Sequence, residues 1–224
     1  MSQEKLVTRI ITRVDRGQRP AARGIFHMVA AVLAVIAGAV FITFTWMQHS
    51  WPVGVAVTIY SVGVVALFGT SAAYHRGPWQ TQRAVDAWGN ADHAMIALFI
   101  AATYTPIAVM TLSTPWLLIG IWIAAIASIG LNFVSHPRVL DVITFLVLGW
   151  AVVPMIPSIL EVAGATVVWL LAAGGVVYSV GALFYATKWP GRNASVIGYH
   201  EYFHAATIIA AILHMIGIWI LVVD

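Results

Sequence analysis

A chain of 224 residues that is 61% hydrophobic and only 8% charged cannot be an ordinary soluble domain, where about a quarter of side chains are charged. Cysteine is absent, which excludes disulfides and thiolate ligands, so a transition metal would have to be held by His, Asp or Glu. The net charge of +3 is better explained by where the basic residues fall along the chain than by nucleic-acid binding.

Residues 1–23 form a basic tail containing Lys5, Arg9, Arg13, Arg16, Arg19 and Arg23. The tail lacks the short apolar core and small-residue cleavage site of a signal peptide. Seven apolar stretches follow, approximately 24–47, 51–75, 88–110, 115–134, 139–160, 164–187 and 197–222. Each is near the roughly 20 residues needed to cross hydrocarbon. The expected fold is an all-α integral membrane protein, a seven-transmembrane helix bundle over residues 24–224. Arg76 and Arg83 lie between stretches 2 and 3, Arg138 between 4 and 5, and Lys188 and Arg192 between 6 and 7, so all 11 basic residues fall on one side. Glu161 and Asp224 fall on the other. The positive-inside rule then puts the N-terminus in the cytoplasm and the C-terminus outside, in the cell (plasma) membrane.

Taken in chain order, stretch 1 carries His27 in its inner part, and stretch 2 ends with Ser71 and His75. Stretch 3 opens with Asp92 and His93 and contains Pro106, while stretch 5 contains Pro154 and Pro157. These prolines interrupt the hydrogen-bond ladder and can open cavities between helices for a lipid chain. Gly38, Gly54, Gly130, Gly174, Gly175 and Gly181 fit close helix packing. Trp46, Trp51, Trp79, Trp116 and Trp189 fall near span ends, as an aromatic belt should. Stretch 7 opens with His200-Glu201-Tyr202-Phe203-His204 and carries His214 farther along.

Alternating spans bring Ser71 and His75, Asp92, and His200 with His204 to one depth near the cytoplasmic face. Residues i and i+4 share a helix face, so His200 and His204 can reach one ion. With His75 they supply three imidazole nitrogens, the donor set of a tetrahedral Zn²⁺ site with one open position. Asp92 is then a fourth ligand or an acceptor for a metal-bound water. Ser71, one turn before His75 on the same face, can orient Asp92 or a substrate carbonyl.

Taken singly, a membrane histidine is more often a hydrogen-bonded packing residue, and a serine there often back-bonds to its own helix. The metal reading rests on the groups arriving together. Glu201 points about 100° away from His200 and reads as a helix-start charge near the N-terminal dipole. His93 is similarly offset from Asp92 and reads as structural. His214 lies roughly 15 Å beyond His204, too far to share its ion, and suits packing or lining. His27 is a spare ligand candidate, and His49 and His136 are loop residues.

Ser71-x-x-x-His75, Asp92 and His200-x-x-x-His204 together resemble the signature of the progestin and adipoQ receptor family, whose bacterial branch is hemolysin III. Arg23-Gly24-x-x-His27, Asp92-His93-Ala94, Ala102-Thr103-Tyr104-Thr105-Pro106 and His200-Glu201-x-Phe203-His204 are similar to that branch too. The likeness runs from residue 23 onward. It implies a seven-helix bundle with an inner-leaflet zinc on His75, His200 and His204, and Asp92 acting through water. The wider superfamily, with the alkaline ceramidases, implies hydrolysis of lipid amides, and the bacterial branch implies haemolysis or membrane homeostasis.

The leading expectation is a zinc-dependent hydrolase of lipid amide or ester bonds, or a lipid sensor derived from one, with Asp92 and Ser71 as catalytic groups. Membrane lipids are its substrate or ligand, and nucleic acid is not a partner. Residues 200–204 also satisfy H-E-x-x-H, which would make Glu201 the base of an intramembrane metalloprotease. A cytolytic pore or a receptor is the non-enzymatic alternative. Stretch 7 has no lysine for a retinal Schiff base, and paired histidines leave haem as a further candidate.

Overall fold

A computed structural model describes residues 14, 16, 17, 19–113, 115–131, 137–191 and 194–224. Most of the basic tail, His136 and Arg192 lie outside these residues. The helices are α1 (Ile25–Gln48), α2 (Trp51–Arg76), α3 (Gln82–Thr111), α4 (Trp116–Gly130), α5 (Arg138–Trp150), α6 (Ile156–Thr187) and α7 (Tyr199–Val223). Helix is the expected solution in hydrocarbon, because it bonds each backbone N–H and C=O within its own segment. Among the described residues, five helical stretches are long and apolar enough to cross a membrane, with Val139–Thr187 forming one of them. Large apolar side chains face outward, among them Leu33 at 61% and Val147 at 68% exposure. The protein is a multi-pass membrane protein.

One helix start differs from the sequence expectation. α3 begins at Gln82 rather than 88, because the Thr81 hydroxyl caps it by accepting the Ala84 N–H at 3.2 Å. Asp92 therefore lies well inside this helix rather than in its first turns. α4 covers Trp116–Gly130, and residues 132–134 of the expected stretch lie outside the described residues. The expected break between stretches 5 and 6 falls at Gly164, whose φ of 74° and ψ of 176° are non-helical.

The two proline sites behave differently. Pro106 lies inside α3 without ending it, whereas α5 stops at Trp150 and a short 3₁₀ turn follows at Val153–Met155. The carbonyls left at the end of α5 are served from α3: the Tyr104 hydroxyl lies 3.1 Å from the Leu148 oxygen and 2.8 Å from that of Gly149.

Small residues set the helix register. α2 runs antiparallel to α1, with Gly24 against His75, Gly38 against Ser61 and Trp46 against Gly54. α3 runs antiparallel to α2, with Gly63 against Ala102 and Gly89 against Tyr74. α7 lies antiparallel to α6, where Gly174 meets His214 and Gly181 meets Ala206. α1 and α7 run parallel, since His27 stacks on His204 near one end and Phe41 on Trp219 near the other. Gly130 is an exception among the small residues: a Cβ there would meet nothing within 4 Å. This arrangement brings the starts of α1 and α7, the end of α2 and the first half of α3 to one end of the bundle.

Candidate metal centre

His75, His200 and His204 each present one ring nitrogen to a common point, with these atoms all within 4.8 Å of one another. The Nε2 atoms of His75 and His200 are 3.1 Å apart. The His75 and His204 ring centroids are separated by 5.1 Å, and those of His200 and His204 by 4.5 Å. The His75 side chain is 2% exposed, and His204 is also buried. The Nδ1 atoms of His75 and His204 are buried without a hydrogen-bond partner. Two nitrogens on separate helices, held at hydrogen-bond distance and shielded from water, form a site that can hold a metal ion.

Asp92 joins this group from α3, with Oδ2 3.6 Å from His75 Nε2. Ser71 is buried and lines the same cavity as Asp92. The three histidines and Asp92 therefore come together, and Ser71 lines the cavity beside them.

This convergence decides the comparison with known proteins. Residues 16–215 match the family described as Haemolysin-III related. The chain belongs to that family. "Hemolysin-3" of Bacillus cereus is 31% identical over 169 residues, covering 73% of this chain and 76% of its own length. "Hemolysin-3 homolog" of Bacillus subtilis is 32% identical over 177 residues, covering 75% and 80%. The human "Monocyte to macrophage differentiation factor" is 26% identical over 173 residues, covering 72% and 68%, which ties this bacterial branch to the progestin and adipoQ receptors.

Three residues at the start of α1 in this family member brace the centre, and sequence spacing did not assign them those roles. Arg23 pairs with Glu201. Gly24 adopts φ +77°, and a Cβ there would lie 2.6 Å from the His75 Cβ. His27 stacks on the His204 ring at 3.8 Å and 12°. Its Nε2 lies 3.0 Å from the Thr207 hydroxyl, which itself donates to the His204 carbonyl at 2.8 Å. His27 thus supports a member of the cluster rather than joining it as a spare ligand. The signal was present in Arg23-Gly24-x-x-His27, but its meaning depends on parallel packing between helices far apart in sequence.

Glu201 is fully buried. One oxygen engages Arg23 and the other accepts the Gly198 N–H at 2.8 Å, capping α7. This bears out the helix-start reading. His93 bonds back to the Gly89 carbonyl at 2.9 Å and also lines the metal cavity. His214 Nε2 lies 3.2 Å from the Leu171 carbonyl, and His214 also lines the apolar cavity, so it both packs and lines. His49 follows the end of α1, and its N–H donates to the Thr45 carbonyl at 2.9 Å.

Two cavities complete the site. One of about 60 Å³ is lined by Ser71, Asp92, His200 and His204, with Asp141 and Tyr185 opposite. Asp141 was not anticipated from the sequence. A second cavity of about 100 Å³ is almost wholly apolar and includes Phe99, Ile100, Leu171 and Ala211. Leu67, Ile96, Phe145, Tyr178 and Thr207 line both, so the two cavities adjoin across these side chains.

Proposed function

We propose that this haemolysin-III family member is a zinc-dependent hydrolase of a lipid amide or ester bond, spanning the plasma membrane seven times with its metal centre at the inner leaflet. The observation that carries this reading is the meeting of three imidazoles, His75 and His204 of them buried, with a carboxylate, beside a cavity that shares wall residues with a larger apolar one. Three nitrogens without a thiolate suit zinc, a borderline ion that favours imidazole. The His75 and His200 nitrogens, 3.1 Å apart, already stand near the spacing of about 3.3 Å that tetrahedral Zn–N bonds set, and the His204 nitrogen lies within 4.8 Å of both. Bound zinc supplies Lewis acidity toward water and a carbonyl oxygen.

The residues divide the remaining work. Asp92 accepts the proton of the attacking water and returns it to the leaving group. Ser71 holds the carboxylate in position through its hydroxyl. The apolar chamber takes the acyl chain and excludes bulk water, while the head group stays toward the basic end. Glu201 has both oxygens engaged, which argues against its acting as a protease base.

The second reading is a lipid sensor in which the same ion is a structural pin. Burial of His75 and His204 favours it, and the name of the Bacillus cereus relative adds a cytolytic variant. Zinc content and release of fatty acid from a panel of lipid amides and esters distinguish the two, using wild type and His204→Ala. Hydrolysis by the wild type that disappears with the metal supports the enzyme. Stoichiometric zinc without turnover on any lipid leaves the sensor.

A further inference from the structure

The segment leading into α1 is a strap, pinned at both ends. Val14 N–H donates to the Trp79 carbonyl at 3.1 Å, while Ala21 and Ala22 donate to Ser195 and Val196 at 3.0 and 3.2 Å. It therefore runs from the α2–α3 connection to the α6–α7 connection, past the mouth of the metal centre. Three arginines ride on it.

Arg23 is taken by Glu201. Arg16 sits 4.3 Å over the Tyr74 ring and donates Nη1 to the Tyr74 carbonyl at 2.7 Å. Its Nε and Nη2 are buried with no acceptor. Arg19 is partly exposed and donates Nε to the Arg16 carbonyl at 3.4 Å. Burial first, and Arg16 second, hold the Arg19 guanidinium below its ordinary proton affinity. Guanidinium donors left without acceptors, and like charges fixed beside one another, both cost stability. An anion with several oxygens relieves both costs, and the planar guanidinium fork matches phosphate bidentately.

We infer that Arg16 and Arg19 form a phosphate-binding site, with Arg19 as its open face and Arg16 supplying the donors behind it. The phosphoryl group of an inner-leaflet lipid fits the site's position, because Arg16 is hydrogen-bonded to the carbonyl of Tyr74, the residue before His75, and Arg19 to that of Arg16. A phosphate held there keeps its lipid beside the metal centre. The inference rests on the proposed function only for placing this end in the head-group layer, and it requires neither metal nor turnover.

The test is ligand binding by the full-length protein in detergent, followed by native mass spectrometry. The probes are dioctanoyl phosphatidylglycerol, dioctanoylglycerol and inorganic phosphate. Phosphatidylglycerol is expected to bind and dioctanoylglycerol not to. Arg16→Lys with Arg19→Lys keeps the charge but removes the forks, and should weaken binding at least tenfold. Arg83→Gln, which removes an exposed charge at the same end, should leave it unchanged. His204→Ala should also bind normally, which separates this inference from the hydrolase reading. If inorganic phosphate competes at similar concentration, the site stands with a soluble anion as its source; if it does not, the lipid is the source. Equal binding of dioctanoylglycerol, or an equal loss in Arg83→Gln, overturns the site. Should the double variant not fold, a folded Arg19→Lys that keeps full affinity overturns it as well.

Discussion

Gly24→Ala is the most direct probe of how the strap shapes the metal centre. Gly24 has φ +77°, and its added Cβ would lie 2.6 Å from the His75 Cβ and 3.1 Å from the Arg76 Cγ. A left-handed conformation costs a non-glycine residue about 1–2 kcal/mol. The contact demands more, since ordinary Cβ contacts begin near 3.4 Å and His75 must retreat by close to 1 Å. Metal–nitrogen bonds tolerate only about 0.2 Å. Zinc affinity should therefore fall at least 10- to 100-fold, the range seen when a ligand's support is lost. Gly17→Ala is the matched control: φ is +71° and its Cβ meets nothing within 4 Å, so it should show backbone strain without metal loss. Zinc stoichiometry under chelator competition and thermal denaturation read the two effects separately. Wild-type zinc affinity in a folded Gly24→Ala would refute the claim that the strap sets the position of His75.

Other substitutions separate the roles of neighbouring groups. Asp92→Asn should retain zinc while lowering lipid hydrolysis by about 10²–10⁴-fold, the range for a lost general base, measured as fatty-acid release per zinc. Glu201→Gln should keep the α7 cap but leave Arg23 unpaired, costing about 3 kcal/mol at the low end for a broken buried pair. Its signature is a lower Tm with turnover per bound zinc unchanged, whereas a protease base would lose turnover. Tyr104→Phe removes the donor serving the Leu148 and Gly149 carbonyls and should cost about 1–3 kcal/mol with normal zinc content, read by denaturation in detergent. Chelation of the wild type should accelerate amide hydrogen exchange at the end of α2 and the start of α7 more than at their opposite ends.

The ligand set was legible because it follows from simple regularities. Helical periodicity put His200 and His204 on one face, and the alternation of apolar stretches pointed to the end of the bundle where His75 joins them. The start of α3 was not legible from hydropathy, since Gln82, Arg83 and Asp86 make its first turns polar while the Thr81 cap makes them helical. Arg23, Gly24 and His27 were visible as a motif but not as a brace, because their partners Glu201, His75 and His204 lie on other helices. Glu201 shows both sides of this: its place at a helix start follows from local geometry, but its ion pair requires the strap. Asp141 lacked any periodic partner, and only the cavity brings it opposite Asp92.

The location of the centre follows from how unevenly the helices pack. α1 to α4 pack in succession, and α6 packs mainly on α7, while α1 and α3 give thinner contacts between these groups. The two cavities lie along that seam, with walls from α2 and α3 on one side and α6 and α7 on the other. A seam with few close helix contacts is where an acyl chain can enter at small packing cost, since lipid competes well with side chains for apolar surface. It is also where the bundle is least able to hold its own geometry. His75 from one group and His200 with His204 from the other meet across it, so an ion bound there joins the two groups and stabilises the joined state by mass action. One cation bound there would hold the seam together beside the apolar cavity, which gives a physical reason for histidines, carboxylate and apolar cavity to occur in one place.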